Sequence, residues 1–304
     1  MAFIDEIKRS YLQGSMLLRI IFINIGVFVL LHIVVLGAML FNMQGDTLLR
    51  WVEMPSDLWL LLKRPWTLVT YMFSHYALLH VLFNMLWLYW LGRIFMEFFS
   101  SKQLMGLYLL GGWGGAALYL LAYNLLPYFA NSIGFLIGAS ASVIAIVVAV
   151  AVYVPDYKIG LLFFGEVSIK WVAIVTILID IFSLDGGNMG GNIAHIGGAA
   201  VGAWYALRIK KGRDITRPLN AVIDAVVGLF NGRTWSLPKI NRPSASTGKS
   251  SAQTERPPRA HRPADEVSEE ELDIILGKIK AAGYDALTDE EKDKLFKASR
   301  RRTP

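Results

Sequence analysis

Four groups of polar residues stand inside otherwise apolar stretches of this 304-residue chain, and their types suit acyl transfer. A polar or ionisable group within a membrane-length apolar run costs several kcal/mol unless satisfied, so each is a functional candidate. The first is Gly138-Ala139-Ser140-Ala141-Ser142. Small residues flank Ser140, so a substrate backbone can approach its hydroxyl; the same run also reads as a helix-packing patch. The second is Asn192-Ile193-Ala194-His195, followed by Gly198 and Gly202. These glycines form a small-xxx-small face for close helix contact. His195 lies three residues before Gly198 and points to nearly the same side, as a base beside that contact or as a satisfied interior histidine. The third is His80 with Asn84, four residues apart on one helical face. Both can donate to a developing oxyanion, or they can clamp two helices together. The fourth runs from Pro65-Trp66-Thr67 to Phe73-Ser74-His75, with amphipathic aromatics suited to a membrane interface, and here the structural reading is favoured.

Taken together these residues specify a reaction. Ser140 would be the nucleophile and His195 its general base, the minimal nucleophile–base arrangement. His80, Asn84 and the Ser140 backbone N–H would stabilise the tetrahedral oxyanion. Asp180 and Asp185 lie near His195 in sequence, but neither has a spacing that argues for orienting the imidazole, so the expectation is a dyad. Ser142 is about 200° further round the helix than Ser140 and should face elsewhere. The chain has no cysteine, which excludes disulfides, thiolate metal sites and a Cys nucleophile. With neither a phosphate-cradling glycine loop nor a paired-carboxylate metal site, no metal, nucleotide or flavin cofactor is implied.

The elements that must position these groups are apolar and long. Hydrophobic residues make up 54% of the chain and charged residues 18%, against about 25% charged in a typical soluble domain. That excludes an all-soluble protein and a fully disordered one. A membrane-spanning helix needs about 20 apolar residues. The candidate segments are Ile20–Phe41, Ala77–Phe98, Leu104–Leu126, Gly134–Val154, Ser168–Leu184 and Asn192–Ile209. The first has no small-residue cleavage site behind it and is expected to be a retained span. The last two are short and joined by Asp185–Gly191, a DGGNMGG run too glycine-rich to be expected to hold a helix. The positive-inside rule sets the orientation. Lys8, Arg9, Arg19, Arg93, Lys102, Lys158 and Lys170 fall on one side with the basic tail, against Arg50, Lys63 and Arg64 on the other. Both termini are therefore expected in the cytoplasm, which requires an even number of spans. The net charge of +6 sits beside a membrane segment, so it suggests anionic lipid rather than nucleic acid.

Domain organisation follows from composition: a six-span membrane domain over 1–210, a juxtamembrane amphipathic helix over 211–230, a disordered basic linker over 231–265 and a small cytoplasmic helical hairpin over 266–300. Leu219, Val222, Ile223, Val226, Val227 and Phe230 recur at helical spacing. The linker is rich in Ser, Pro, Arg and Lys. Ser268 with Glu271, and Thr288 with Glu291, are capping-box pairs that each open a helical pattern. The hairpin either binds a cytoplasmic partner or only stabilises the protein.

The set G-x-S, A-H-x-x-G-x-x-x-G and H-x-x-x-N, in this order of spans, resembles the rhomboid family of intramembrane serine proteases over about residues 15 to 210. The resemblance implies an all-α membrane protein with a six-transmembrane-helix bundle, and a serine endopeptidase that cleaves transmembrane helices of membrane proteins by a Ser140–His195 dyad with His80 and Asn84 as oxyanion donors. It also implies that Glu97 is a structural glutamate, that Gly138, Gly198 and Gly202 serve packing, and that Asp185–Gly191 is a cap loop with Met189 as its plug. Phe83 would stand at a lateral gate between the second and fifth spans. Where many members place an aromatic against the histidine, this chain has Ile144, so packing and a hydrogen bond must hold His195. Bacterial members make the plasma membrane the expected location, with single-span or other transmembrane proteins as substrates and lipids as partners. The alternative is a non-catalytic relative that binds membrane clients.

Overall fold

A computed structural model describes residues 15–161, 165–184 and 186–230, together with 275, 288, 290 and 291. The chain divides into two units, Met1–Leu237 and Pro238–Pro304. The first is an all-α membrane bundle. Each of the six apolar segments overlaps one helix: α1 (Met16–Leu40), α5 (Leu78–Phe98), α6 (Ser101–Leu125), α7 (Ser140–Tyr153), α8 (Ile169–Phe182) and α9 (Met189–Ile209), with α1, α6 and α9 each starting three or four residues before the expected segment. Between α1 and α5 lie three short helices, α2 (Gly45–Leu49), α3 (Leu58–Lys63) and α4 (Thr67–Thr70), the last running into a 3-10 turn at Tyr71–Phe73. A final helix, α10, covers Arg217–Phe230.

Among the described residues α1, α5 and α6 are long and apolar enough to cross a membrane. Helices α7 and α8 have 14 residues each, which is about 21 Å at 1.5 Å per residue, short of a hydrocarbon core of about 30 Å. The outer faces are apolar: Leu30, Ile33 and Leu36 on α1, and Val175, Ile179 and Phe182 on α8, are exposed. Polar side chains turn inward instead. Asn24 of α1, fully buried, donates to the Tyr108 hydroxyl of α6 at 3.2 Å, and Tyr108 donates to the Met72 carbonyl at 2.7 Å.

Helix α7 is the axis of the bundle. Every residue from Ala141 to Ala151 is buried, as expected of a helix that is apolar all round. Glycines let its neighbours reach its backbone. A Cβ on Gly198 or Gly202 of α9 would collide with the Ala141 or Ala145 carbonyl oxygen of α7. One on Gly115 of α6 would lie 2.6 Å from the Ala141 Cβ.

Two boundaries also differ in kind from the sequence expectation. The fourth segment turns helical only at Ser140, not at Gly134. Its first residues form strand β2 (Phe135–Leu136), antiparallel to β1 (Met54–Pro55), with Met54 opposite Leu136. Gly138 then takes φ +125°, a conformation that L side chains rarely adopt. The second correction concerns the DGGNMGG run. Met189, Gly190 and Gly191 form the first turn of α9, so glycine's entropy cost is overcome by packing: Gly190 sits against Tyr119 and Tyr123. A β-hairpin, β3 (Lys158–Leu161) with β4 (Gly165–Ser168), links α7 to α8.

The amphipathic segment forms α10, joined to α6 by Lys102 Nζ–Asp224 at 2.6 Å, while Val222, Val226 and Val227 stay exposed. The linker over 231–265 and the Ser268–Glu271 box lie outside the described residues. In the second unit the Thr288–Glu291 capping box is formed, with the Thr288 N–H donating to Glu291 Oε2 at 2.9 Å.

Candidate active site

The nucleophile loop is held from below by the segment before α5. The Gly138 N–H donates to the Tyr71 carbonyl at 2.9 Å, and the Ala139 N–H donates to His75 Nε2 at 3.3 Å. His75 is fully buried, and burial, with the adjacent His80 ring a lesser cause, pushes its pKa down to about 3. The ring is therefore neutral, which its role as acceptor requires. Helix α7 starts immediately after this anchor, with the Val143 N–H donating to the Ala139 carbonyl. The N–H groups of Ser140, Ala141 and Ser142 thus lie at the helix start, where no preceding turn supplies carbonyls.

Ser140 is the first residue of α7, and His195 stands two turns into α9. Ser140 Oγ and His195 Nε2 are 2.6 Å apart. The other ring nitrogen also has a partner: His195 Nδ1 lies 2.8 Å from Asp180 Oδ1 of α8. Spacing along the chain argues for neither Asp180 nor Asp185 as a partner of the imidazole, yet Asp180 is the carboxylate that meets it. One turn nearer the α8–α9 connection, Asn192 Nδ2 donates to the Ser183 carbonyl at 2.7 Å.

Two cavities meet at the Ser140–His195 pair. The larger, about 710 Å³, is lined by His80, Ser140, His195 and Met189, with Tyr76, Tyr119 and Tyr123 among its walls. The smaller, about 320 Å³, lies among α5, α7 and α8 and is lined by Phe83, Trp87, Ile144, Val147, Thr176 and Asp180. Ser140, His195, His80 and Asn188 line both. Asn84 lines only the smaller, and its Nδ2 donates to the His80 carbonyl at 2.9 Å, which leaves the second amide hydrogen for another acceptor. A Cβ on Gly138 would lie 2.8 Å from His80 Cε1 and 3.8 Å from Ser140 Oγ, so the missing side chain keeps that approach open.

The remaining candidates fall as follows. Met189 lines the larger cavity from the first turn of α9 rather than from a loop. Phe83 is 55% exposed and stands at the smaller cavity across from Thr176 and Asp180. Glu97 accepts a hydrogen bond from the Tyr157 hydroxyl at 2.9 Å, which ties the end of α5 to the turn after α7. Ser142 faces α6, buried against Gly112, without a hydrogen-bond partner.

A helical membrane bundle that carries a serine in contact with a histidine where two cavities join is the class this fold and site define. Residues 62–211 match the rhomboid domain, and the protein belongs to the rhomboid family. It is similar to RHOMBOID-like protein 12, mitochondrial, of Arabidopsis thaliana, at 35% identity over 48% of this chain and 47% of that protein. It is also similar to presenilin-associated rhomboid-like protein A, mitochondrial, of Danio rerio, at 28% identity over 44% of this chain and 34% of that one. The chain thus spans half or less of the length of these relatives. Both are mitochondrial, so they lend no support to the expected bacterial plasma membrane.

Proposed function

We propose that this protein is an intramembrane serine endopeptidase, with Ser140 as nucleophile and His195 as general base. The observation that carries the reading is the 2.6 Å contact between Ser140 Oγ and His195 Nε2 at the junction of the two cavities. As Oγ attacks the scissile carbonyl carbon, its proton passes to His195 Nε2. His195 then returns that proton to the leaving amine, and water hydrolyses the acyl-enzyme by the same route. The N-terminal N–H groups of α7 and the side chains of His80 and Asn84 are the donors for the oxyanion, each worth about 10²–10³ in kcat by analogy with measured oxyanion-hole donors.

The two cavities divide the reactants. The larger, with its tyrosines and His80, suits water. The smaller, with Phe83, Trp87, Ile144 and Val147, suits an apolar segment arriving from lipid. A transmembrane substrate has its carbonyls bonded within its own helix, so it must unwind before attack, which favours small or helix-breaking residues near the cleavage site. The test is cleavage of single-span peptides, with and without a Gly-Pro pair near one membrane boundary, by the protein reconstituted in liposomes. Mass spectrometry should find cut peptides with wild type and none with Ser140→Ala. Cleavage that survives in Ser140→Ala, or that wild type fails to perform on any peptide, would favour a non-catalytic client-binding role.

A further inference from the structure

The carboxylate behind His195 has no part in the dyad reading, and its position is costly. Helix α8 buries Ile169, Ala173 and Asp180, so its one fully buried polar side chain is a carboxylate in an apolar helix. Such a group is expensive inside a membrane unless paired. The lysine on the same helix, Lys170, is bonded at 2.6 Å to Asp156, not to Asp180. Among the described residues the partner of Asp180 is His195 Nδ1, at 2.8 Å, with both side chains largely buried.

We infer that Asp180 is a positioning residue for His195, so that the site works as a Ser–His–Asp triad supplied by three helices. This rests on the protease reading above. The argument is one of proton placement. A carboxylate only accepts hydrogen bonds, so the neutral imidazole facing Asp180 carries its proton on Nδ1. Nε2 then has its lone pair toward Ser140 Oγ, as a general base requires. Two rungs of the α8–α9 hairpin fix the ring: Asp180 with His195, and one turn nearer the connection Ser183 with Asn192. When His195 takes the serine proton, Asp180 stabilises the imidazolium and no proton moves to the carboxylate. Ile144 and His195 both line the smaller cavity, and among the described residues no aromatic ring stacks on the imidazole, so beyond the Ser140 contact its polar anchor is Asp180.

Asp180→Asn separates positioning from packing, because it keeps the volume and polarity of the side chain. Its amide can donate to Nδ1, which places the ring proton on Nε2, the wrong nitrogen for accepting from Ser140. The experiment measures kcat and KM for a cleaved transmembrane peptide in liposomes, with thermal melting in parallel, for wild type, Asp180→Asn and Asp180→Ala. The expected result is a fall in kcat of about 10²–10⁴ in both variants, KM within about threefold and melting of Asp180→Asn close to wild type, in line with loss of the equivalent aspartate elsewhere. In wild-type protein, proton NMR should also show a far-downfield Nδ1–H resonance that Asp180→Asn lacks. Wild-type kcat in Asp180→Asn, or no such resonance in wild type, would overturn the triad while leaving the protease reading standing. An effect on KM and melting alone would assign Asp180 to packing and overturn it too. If wild type shows no Ser140-dependent cleavage, both readings fall together.

Discussion

Ser142 is an internal control for Ser140: the same side chain two positions along the same helix, turned to the opposite neighbour. Its hydroxyl is buried against Gly112 of α6 without a partner. An unsatisfied buried hydroxyl costs about 1–3 kcal/mol, so Ser142→Ala should leave cleavage unchanged and melting unchanged or higher, whereas Ser140→Ala abolishes cleavage and leaves the fold intact. His75 supplies a pH-dependent prediction. Its pKa is lowered from an ordinary 6.5 to about 3 in the folded protein, so the unfolded chain binds the extra proton first. The stability from the neutral ring is whole above pH about 6.5 and is lost as pH falls from there toward 3. Protonation would also remove the acceptor for the Ala139 N–H and loosen the serine loop. Melting followed from pH 7.5 to 4.5 should decline more steeply in wild type than in His75→Gln, whose carbonyl oxygen can still accept. Parallel curves would show that His75 does not set the acid sensitivity.

At the scale of the element, the Gly198–Ala141 and Gly202–Ala145 approaches place α9 on α7, and so His195 on Ser140. A methyl group at Gly198 meets a backbone oxygen that has little room to give, so Gly198→Ala should cost at least about 2 kcal/mol and reduce cleavage. Gly37→Ala on α1, where a Cβ has nothing within 4 Å, should change stability by no more than about 1 kcal/mol. Thermal melting of the two variants side by side checks this, and equal melting would show that the glycine face does not set the packing. The helices were legible from apolar runs, and the Ser140 and His195 candidates from polar residues inside them. Asp180 was not, because spacing along one helix carries no sign of it. Its partner lies across a turn: the Asp180–His195 and Ser183–Asn192 pairs are centred on the same point of the sequence, between Gly187 and Asn188, so antiparallel packing sets the members of each pair opposite each other. That register could be read only by pairing the two helices as a hairpin. The start of α7 was missed for a related reason. Phe135 and Leu136 are apolar enough to extend a helix, but pairing with Met54 and Pro55 and the positive φ of Gly138 make them a strand and a turn.

The described residues of the first unit present an apolar exterior around inward-facing polar groups, the inverse of a soluble fold, as a multi-pass membrane protein requires. The proposed arrangement of six spans with both termini on one side is testable because the chain has no cysteine to give background labelling. Single cysteines at Lys63 and Lys158, both exposed, should react with an impermeant maleimide from opposite faces of oriented vesicles. Reaction of both from the same face would refute the arrangement.

The central claim is that Ser140 is an activated nucleophile, and covalent labelling reads that directly without a known substrate. Detergent-purified wild type, Ser140→Ala, Ser142→Ala and His195→Ala would each be treated with a fluorophosphonate probe beside an active serine hydrolase, and the modified peptide located by mass spectrometry. The account predicts modification at Ser140 in wild type and Ser142→Ala, and none in Ser140→Ala or His195→Ala. Equal labelling of all four proteins, or of none while the control hydrolase labels, would contradict it.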